Sequence, residues 1–392
     1  MITVNNPGNW SQVYAPLLHA DWHGWTPTDL VFPFFVFAMG MALPFSFAPG
    51  SGIRSEEFLK ILARSLRLIA LGLFLNYFGR IEFGNAQGAT LLLFRLMITG
   101  FVGYLLMGEF TTKIKLYLAA FLLAVMLGLA YSGLPHFENV RIPGVLQRLG
   151  LVYFFAALLY LGLSLRLQWA VTVLVLLGYW LLLAYVPVPG TGVTGFEKGA
   201  NFPAFIDEIL LGNHVWSSSK PWDPEGVLST FPAIISCLIG TWSGTLLRKD
   251  KKKLMYMGAV FLLLGLLWSQ VFPINKALWT SSFVLLTVGL GSLIVGALAY
   301  LIDGKPANGL VHFFVMWGVN PIIVFFGAGI LPRALNMLKV NDTPLLSAFY
   351  KNGIVPIFED PKMASLTFAL VHVAFWTLVL LYLRREKMII KV

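Results

Sequence analysis

Apolar runs of about twenty residues recur along the whole chain, each closed by a short segment that gathers Gly, Pro, Asn and charge. Eleven such runs predict helices, at 27–47, 59–79, 89–107, 115–132, 143–163, 168–186, 227–247, 254–271, 278–301, 309–331 and 366–383. A backbone in hydrocarbon must satisfy its own hydrogen bonds, so runs of this length read as transmembrane helices. The fold class expected is all-α: a polytopic integral membrane helical bundle of about 11 transmembrane helices, with 1–392 forming one domain. No internal repeat of fixed period is visible, nor an inverted pair of broken helices such as transporters carry.

Two intervals interrupt this pattern. Residues 187–226 open with VPVPGTGVTG, which Pro and Gly keep out of a helix, and continue as FPAFIDEILLG. There Phe205, Ile206, Ile209 and Leu210 share one face while Asp207 and Glu208 lie on another, which predicts a short helix in the membrane interface. Residues 332–365 form a second long connection, again broken by Pro and Gly. Connections this long with little structure of their own are often lids; passive outer decoration is the competing reading.

Composition narrows the class. Apolar residues make up 58% of the chain and charged ones 12%, with mean hydropathy +0.78, where a soluble protein carries about a quarter charged residues. The net charge of +10 does not point to nucleic acid. The basic residues sit at the ends of apolar runs, and no basic helix or finger motif is present. An odd number of spans puts the termini on opposite sides. With the C-terminus cytoplasmic, that side holds Arg54, Lys60, Arg64, Arg67, Lys113, Lys115, Arg166, the turn from Arg248 to Lys253, Lys305 and the tail RREKMIIKV. Those are 17 of the 28 basic residues, against 10 on the other side and Arg95 within a span. The positive-inside rule therefore predicts an outward N-terminus and a cytoplasmic C-terminus, so that residues 1–26 and both long connections face outward. The expected location is a bacterial inner (cytoplasmic) membrane, with the bilayer as partner.

The chain opens MITVNNPGNW, which has neither a basic region nor an apolar core, so no cleavable signal peptide is expected. The one cysteine, Cys237, lies inside an apolar run. It offers no disulfide framework and no thiol metal site, and reads as a small packed side chain.

The stretch HADWHGWTPTDLVFPFFVFAMG, His19 to Gly40, runs from a polar loop straight into the first span. Thr26 fits a helix N-cap, Pro27 the first helical position and Asp29 the third position of a capping box. A carboxylate there also meets the positive end of the helix dipole. Capping alone accounts for Asp29; orienting an imidazole is the other role, and the two can coexist. His19 and His23 are four apart and could share a metal on a helical turn. No third and fourth ligand stands at a sensible spacing, so no metal is expected. Histidine titrates near neutrality, which suits a general base at a membrane mouth. An interfacial histidine bonded to backbone is the bland alternative.

These segments resemble a known family. VNNPGNW followed by LLHADWHGWTPTDLVFPFFVFAMG is similar to the asparagine–loop–histidine–Asp-Leu-Val-Phe-Pro signature of the heparan-alpha-glucosaminide N-acetyltransferase-like transmembrane acetyltransferases. RIPGVLQRLGLVYF from Arg141 and WDPEGVLSTFPAIISCLIGTWSG from Trp222 resemble two more of its motifs. PINKALWTSSFVLLT from Pro273 and GVNPIIVF from Gly318 are weaker matches, and all five stand in family order. Fold alone would not license a function; the resemblance implies an acyltransferase that moves acetyl from cytoplasmic acetyl-CoA to an amino-sugar-type amine on the outer face. It implies the active histidine at His19 and a partner asparagine at Asn5, separated here by a longer interval than in mammalian relatives. His23 stands where the animal enzyme has asparagine and receives no role. In relatives a span with a Leu-Asp-x-x-Arg-Gly signature precedes this point. MITV reads as the last turn of such a helix, so a bacterial-type homologue with a late start or a truncated chain is expected. Members are often dimeric, which makes a homodimer a further expectation.

The same reading distributes the remaining polar residues. Polyanionic CoA would dock on cytoplasmic Arg64, Arg67 and the turn from Arg248 to Lys253, with plain positive-inside anchoring as the competing role. Arg141, Gln147, Arg148, Asn275, Lys276 and Asn320, with Ser281 and Ser282, would line the passage for its arm; helix–helix hydrogen bonding competes for the asparagines. Asp223 and Glu225 would bind the cationic or hydroxylated acceptor, or else cap the span beginning at Val227. His19 would remove the amine proton or carry the acetyl group, and Asn5 would donate to the carbonyl oxygen. The competing classes are an amino-sugar or oligosaccharide transporter and an inactive relative that scaffolds partners.

Overall fold

The chain enters its first long helix at Thr26-Pro27-Thr28-Asp29. The Asp29 carboxylate accepts the Thr26 N–H at 3.0 Å, and Pro27 opens a 3-10 turn, Pro27–Leu30, that continues as an α-helix. Thr111, Asn201, Asp250, Asn308 and Asp360 likewise accept a backbone N–H at the entry of a helix. The computed structural model describes every residue except Pro49, Ser51 and Ala307. Among the described residues the helices are α1 (Ile2–Asn5), α2 (Val31–Ser46), α3 (Ser55–Tyr77), α4 (Gly88–Met107), α5 (Thr112–Ala130), α6 (Val145–Gly162), α7 (Leu165–Tyr185), α8 (Phe202–Leu211), α9 (Thr230–Lys249), α10 (Lys251–Trp268), α11 (Ser281–Ile302), α12 (Gly309–Val319), α13 (Pro321–Leu335), α14 (Leu345–Ala348) and α15 (Pro361–Arg385). Strands β1 (Lys339–Val340) and β2 (Thr343–Pro344) pair antiparallel.

The protein is an all-α polytopic membrane protein. Among the described residues, Pro27–Ser46, α4, α5, α6, α7, α9, α11 and α15 are long and apolar enough to cross a membrane, and α12 with α13, bent by 70°, makes a ninth span. The second and eighth expected spans are helices too, α3 of 23 residues and α10 of 18, made less apolar by charge that runs from Glu56 to Arg67 in α3 and fills the first turn of α10.

Both long connections hold more structure than their sequence suggests. Residues 187–226 contain α8, which buries Pro203, Ala204 and Asp207 while Ile209 and Leu210 point outward. The helix exists as expected, but its aspartate faces the protein. Residues 332–365 contain the end of α13, the hairpin, α14, a π-helical turn (Phe349–Ile354) and the start of α15.

α9 is the most enclosed of the spans and packs along α2, with α6 and α11 beside it. Only glycine permits this approach: a Cβ on Gly40 would land on the Cys237 carbonyl, and one on Gly240 on the Phe37 carbonyl. α10 pairs with α11, and α3 with α5 and α6. The outer helices turn Phe101, Tyr117, Phe121 and Leu174 outward, as lipid contact allows. One end of the bundle gathers the starts of α2, α6, α9 and α11: Asn76, closing α3, donates to the Arg141 carbonyl at 2.7 Å, and Arg148 reaches Gly226. At the opposite end Arg248, closing α9, donates to the Pro44 carbonyl at 2.7 Å.

Candidate active site

The segment from Leu18 to Leu30 folds around one buried carboxylate. Asp29 Oδ2 accepts the backbone N–H of Ala20 and of Thr26, both at 3.0 Å, and the Thr26 hydroxyl ties the loop back to the Leu18 carbonyl at 2.6 Å. With Oδ2 engaged in the cap, Oδ1 meets His19 Nδ1 at 2.6 Å. Asp29 therefore caps the helix and orients the imidazole together. With Nδ1–H given to the carboxylate, Nε2 keeps its lone pair, on a side chain that is 50% exposed.

Lys276 arrives from the loop ahead of α11. Its Nζ lies 3.1 Å from His19 Nδ1, 3.4 Å from Nε2 and 3.5 Å from Asp29 Oδ1. Asn275 shapes that loop. Its N–H donates to Thr280 Oγ1 at 3.0 Å and its Oδ1 accepts the Leu278 N–H at 2.9 Å. Gly24 N–H donates to the Ile274 carbonyl at 2.8 Å and joins the two loops. Burial pulls the Lys276 ammonium below the ordinary lysine range, while the Asp29 and Glu225 carboxylates oppose the shift.

A second charged group stands beside the first. Arg141 Nε donates to Asp223 Oδ2 at 2.8 Å and Nη2 to Asp223 Oδ1 at 2.6 Å, and Nη2 also meets Glu225. Burial works against the Arg141 charge, but Glu225 and Asp223 more than restore it and leave the guanidinium above the ordinary arginine range. Asp223 also accepts the N–H of Trp216 at 2.8 Å and of Glu225 at 2.9 Å, so its capacity is filled from within the protein. Neither Asp223 nor Glu225 caps α9, which starts at Thr230 without a side-chain cap; the loop ahead of it is held by Asp207 instead. Its two oxygens take the N–H of Val227 at 2.8 Å and of Asp223 at 3.0 Å. The sequence placed Asp207 only on the polar face of this helix beside Glu208; the structure buries Asp207 and leaves Glu208 exposed. Arg148 is 1% exposed; its Nη2 donates to the Gly226 carbonyl at 3.0 Å and to Ser229. Its Nε and Nη1 are enclosed without a hydrogen-bond partner, and its guanidinium lies 5.3 Å over the Trp279 ring.

The other candidates are dispersed. Asn5 is exposed on α1, which packs against α15, and makes no hydrogen bond to His19. Gln147 donates to the Ile142 carbonyl at 3.0 Å and Ser281 to the Leu176 carbonyl at 2.7 Å, while Ser282 meets Thr280 at 3.1 Å. Asn320, at the bend between α12 and α13, donates to the Met388 carbonyl at 3.2 Å and accepts the Ile390 N–H at 2.8 Å. Arg67 is buried and donates to the carbonyls of Leu106 and Lys391. Arg64 is exposed, 4.7 Å over the Tyr153 ring. His23 lies 3.4 Å from Asn275 Nδ2. Among the described residues no group of three His, Cys, Asp or Glu side chains is arranged to hold a metal.

The chain is 28% identical over 390 residues to heparan-alpha-glucosaminide N-acetyltransferase of Homo sapiens, an alignment covering 83% of this chain and 50% of that protein. The Mus musculus protein of the same name is 28% identical over 394 residues, covering 84% of this chain and 51% of that protein. The chain thus spans about half the length of the curated relatives it matches. No family model matches it. The two alignments support a relationship at the level of the family.

Proposed function

We propose that this chain is a transmembrane N-acetyltransferase that moves acetyl from acetyl-CoA to the amine of an amino-sugar-type acceptor, with His19 as general base or transient acetyl carrier. Its relationship to two proteins named as N-acetyltransferases supports the reaction class. The observation that carries the proposal is the 2.6 Å pair between His19 Nδ1 and Asp29 Oδ1 at the mouth of the first span. Such a pair holds one tautomer and supports the imidazolium that forms when Nε2 takes a proton.

Acetyl-CoA supplies the thioester. Exposed Lys249, Lys252 and Lys253, at the end of the bundle opposite His19, fit its diphosphate, with Arg64 deeper along α3 beside Tyr153, whereas Arg67 is already committed to backbone carbonyls. The 20 residues of Pro27–Ser46 separate those ends by about 30 Å, one hydrocarbon thickness. The positive-inside count makes the basic end cytoplasmic and the His19 end outward-facing. Glu225, the outer arm of the Arg141 fork, draws the acceptor's cation toward Nε2. After that cation has released one proton to solvent, His19 takes a second from the neutral amine nitrogen as it attacks. A bacterial inner membrane, one continuous domain and a homodimer belong to the same proposal.

The purified protein in lipid nanodiscs, given acetyl-CoA and glucosamine, is expected to release CoA and form the N-acetylated sugar. His19→Ala lowers that turnover by about 10²–10⁴-fold. Full transfer by a folded His19→Ala protein would overturn the proposal. The transporter reading draws on the 70° break at Asn320; uptake of unaltered sugar into proteoliposomes without acetyl-CoA is its signature.

A further inference from the structure

Lys276 sits against His19 and Asp29 without a part in the proton transfer just described. Its Nζ is 3.1 Å from Nδ1 and 3.4 Å from Nε2. Those two nitrogens flank a single ring carbon, and a point in the ring plane at such similar distances from both would overlap that carbon. The ammonium therefore lies over the face of the imidazole. The in-plane lone pair of Nε2 stays open to an acceptor's N–H. The ammonium itself, anchored 3.5 Å from Asp29 Oδ1 and 23% exposed, keeps N–H donors directed beyond the ring.

We propose that Lys276 is a catalytic residue of this site, its ammonium being the donor that holds the thioester carbonyl oxygen as acyl transfer places charge on it. The inference rests on the acetyltransferase reading. The neutral amine nitrogen forms a bond to the carbonyl carbon, the C=O π pair moves to the oxygen beside Lys276 Nζ, and the N–H proton goes to His19 Nε2. The oxygen pair then restores C=O, the C–S bond breaks, and His19 returns the proton to the departing sulfur. In the adduct the ammonium, imidazolium, carboxylate and oxyanion balance in charge, as the ammonium, neutral imidazole and carboxylate do before attack. A fixed cation at the point where charge develops is the usual basis of such catalysis. Asn5, the residue the resemblance assigns to that oxygen, makes no hydrogen bond to this cluster, whereas Lys276 is already in place. If His19 carries the acetyl group in transit, the same oxygen is charged in both half-reactions.

Asp29 and His19 in the first loop, Glu225 ahead of α9 and Arg148 in α6 are the charged or titratable groups that face Lys276. Burial and Arg148 favour loss of its proton, while Asp29 and Glu225 favour its retention. Only the protonated form can serve, so activity falls as pH rises through the lowered lysine pKa. Acetyl transfer from acetyl-CoA by the full chain in nanodiscs, measured from neutral to alkaline pH beside His19→Ala, tests this. Lys276→Met is expected to lower kcat by about 10²–10³-fold with KM for both substrates within about twofold. Lys276→Arg, which keeps its proton, regains part of the loss and does not fall on the alkaline side where the wild type does. Lys276→Met turnover within a few-fold of wild type, or a Lys276→Arg profile superimposed on the wild-type one, overturns the inference and leaves the His19 reading standing. A wild-type protein that transfers no acetyl group overturns both.

Discussion

Asp29 divides its work between two oxygens, one closing a helix cap and the other holding an imidazole. Asp207 makes a comparable division, one oxygen for each of two N–H groups in the loop that carries Asp223 and Glu225. Burial nonetheless pushes the Asp207 carboxyl up to about 6, against the pull of those donors. A raised carboxyl pKa means that the folded protein favours the neutral form. The stability linked to it is fully present below about pH 4, the ordinary aspartate value, and is lost as pH rises through about 6. The unfolding temperature of the wild type relative to Asp207→Asn is therefore expected to fall across that window and level off above it, a change of about 3 kcal/mol. Thermal unfolding in detergent at stepped pH reads it, and a pH-independent difference would show a carboxylate that stays ionised. The site was legible in the sequence only where partners are near one another. His19 and Asp29 are 10 residues apart and share a cap motif, whereas Lys276 reaches His19 across 257 residues and Arg141 reaches Asp223 across 82. Hydropathy and motif spacing carry no trace of such pairings. Asp207 was hidden for a related reason: periodicity gives a face but not which side that face meets.

At the scale of elements, apolar length located the spans well, because burying a helix in lipid needs a fixed number of residues. Their ends were less visible. α9 begins at Thr230 and α15 at Pro361, where Asp360 caps it, and neither start is marked by a change in hydropathy. The α2–α9 seam was also illegible as a seam, although Gly40, Gly240 and Gly244 stood in plain view in the sequence. Gly40→Ala forces its methyl into the Cys237 carbonyl and is expected to cost about 1–3 kcal/mol. Gly128→Ala and Gly178→Ala, which meet open space on α5 and α7, are expected to be neutral or stabilising by up to about 1 kcal/mol. Unfolding temperatures of the three variants check the contrast; equal shifts would mean that the seam is loose enough to yield.

The whole molecule is electrically lopsided, with exposed Arg248, Lys249, Lys252 and Lys253 at one end and the His19 cluster at the other. If the positive-inside rule governs insertion, residues near the His19 end face outward. Cys237 is fully buried and gives little background, so single introduced cysteines can report the topology. A membrane-impermeant maleimide is expected to label Ser217→Cys in intact cells and Glu386→Cys only after the membrane is opened. The reverse pattern would invert the sides assigned to donor and acceptor. Backbone contact at Gly40 and Gly240 also bears on traffic through the bundle. Where two main chains touch there is no lumen, so a ligand long enough to join the basic end to His19 must skirt the α2–α9 seam along the sides that α2 turns toward α6 and α11.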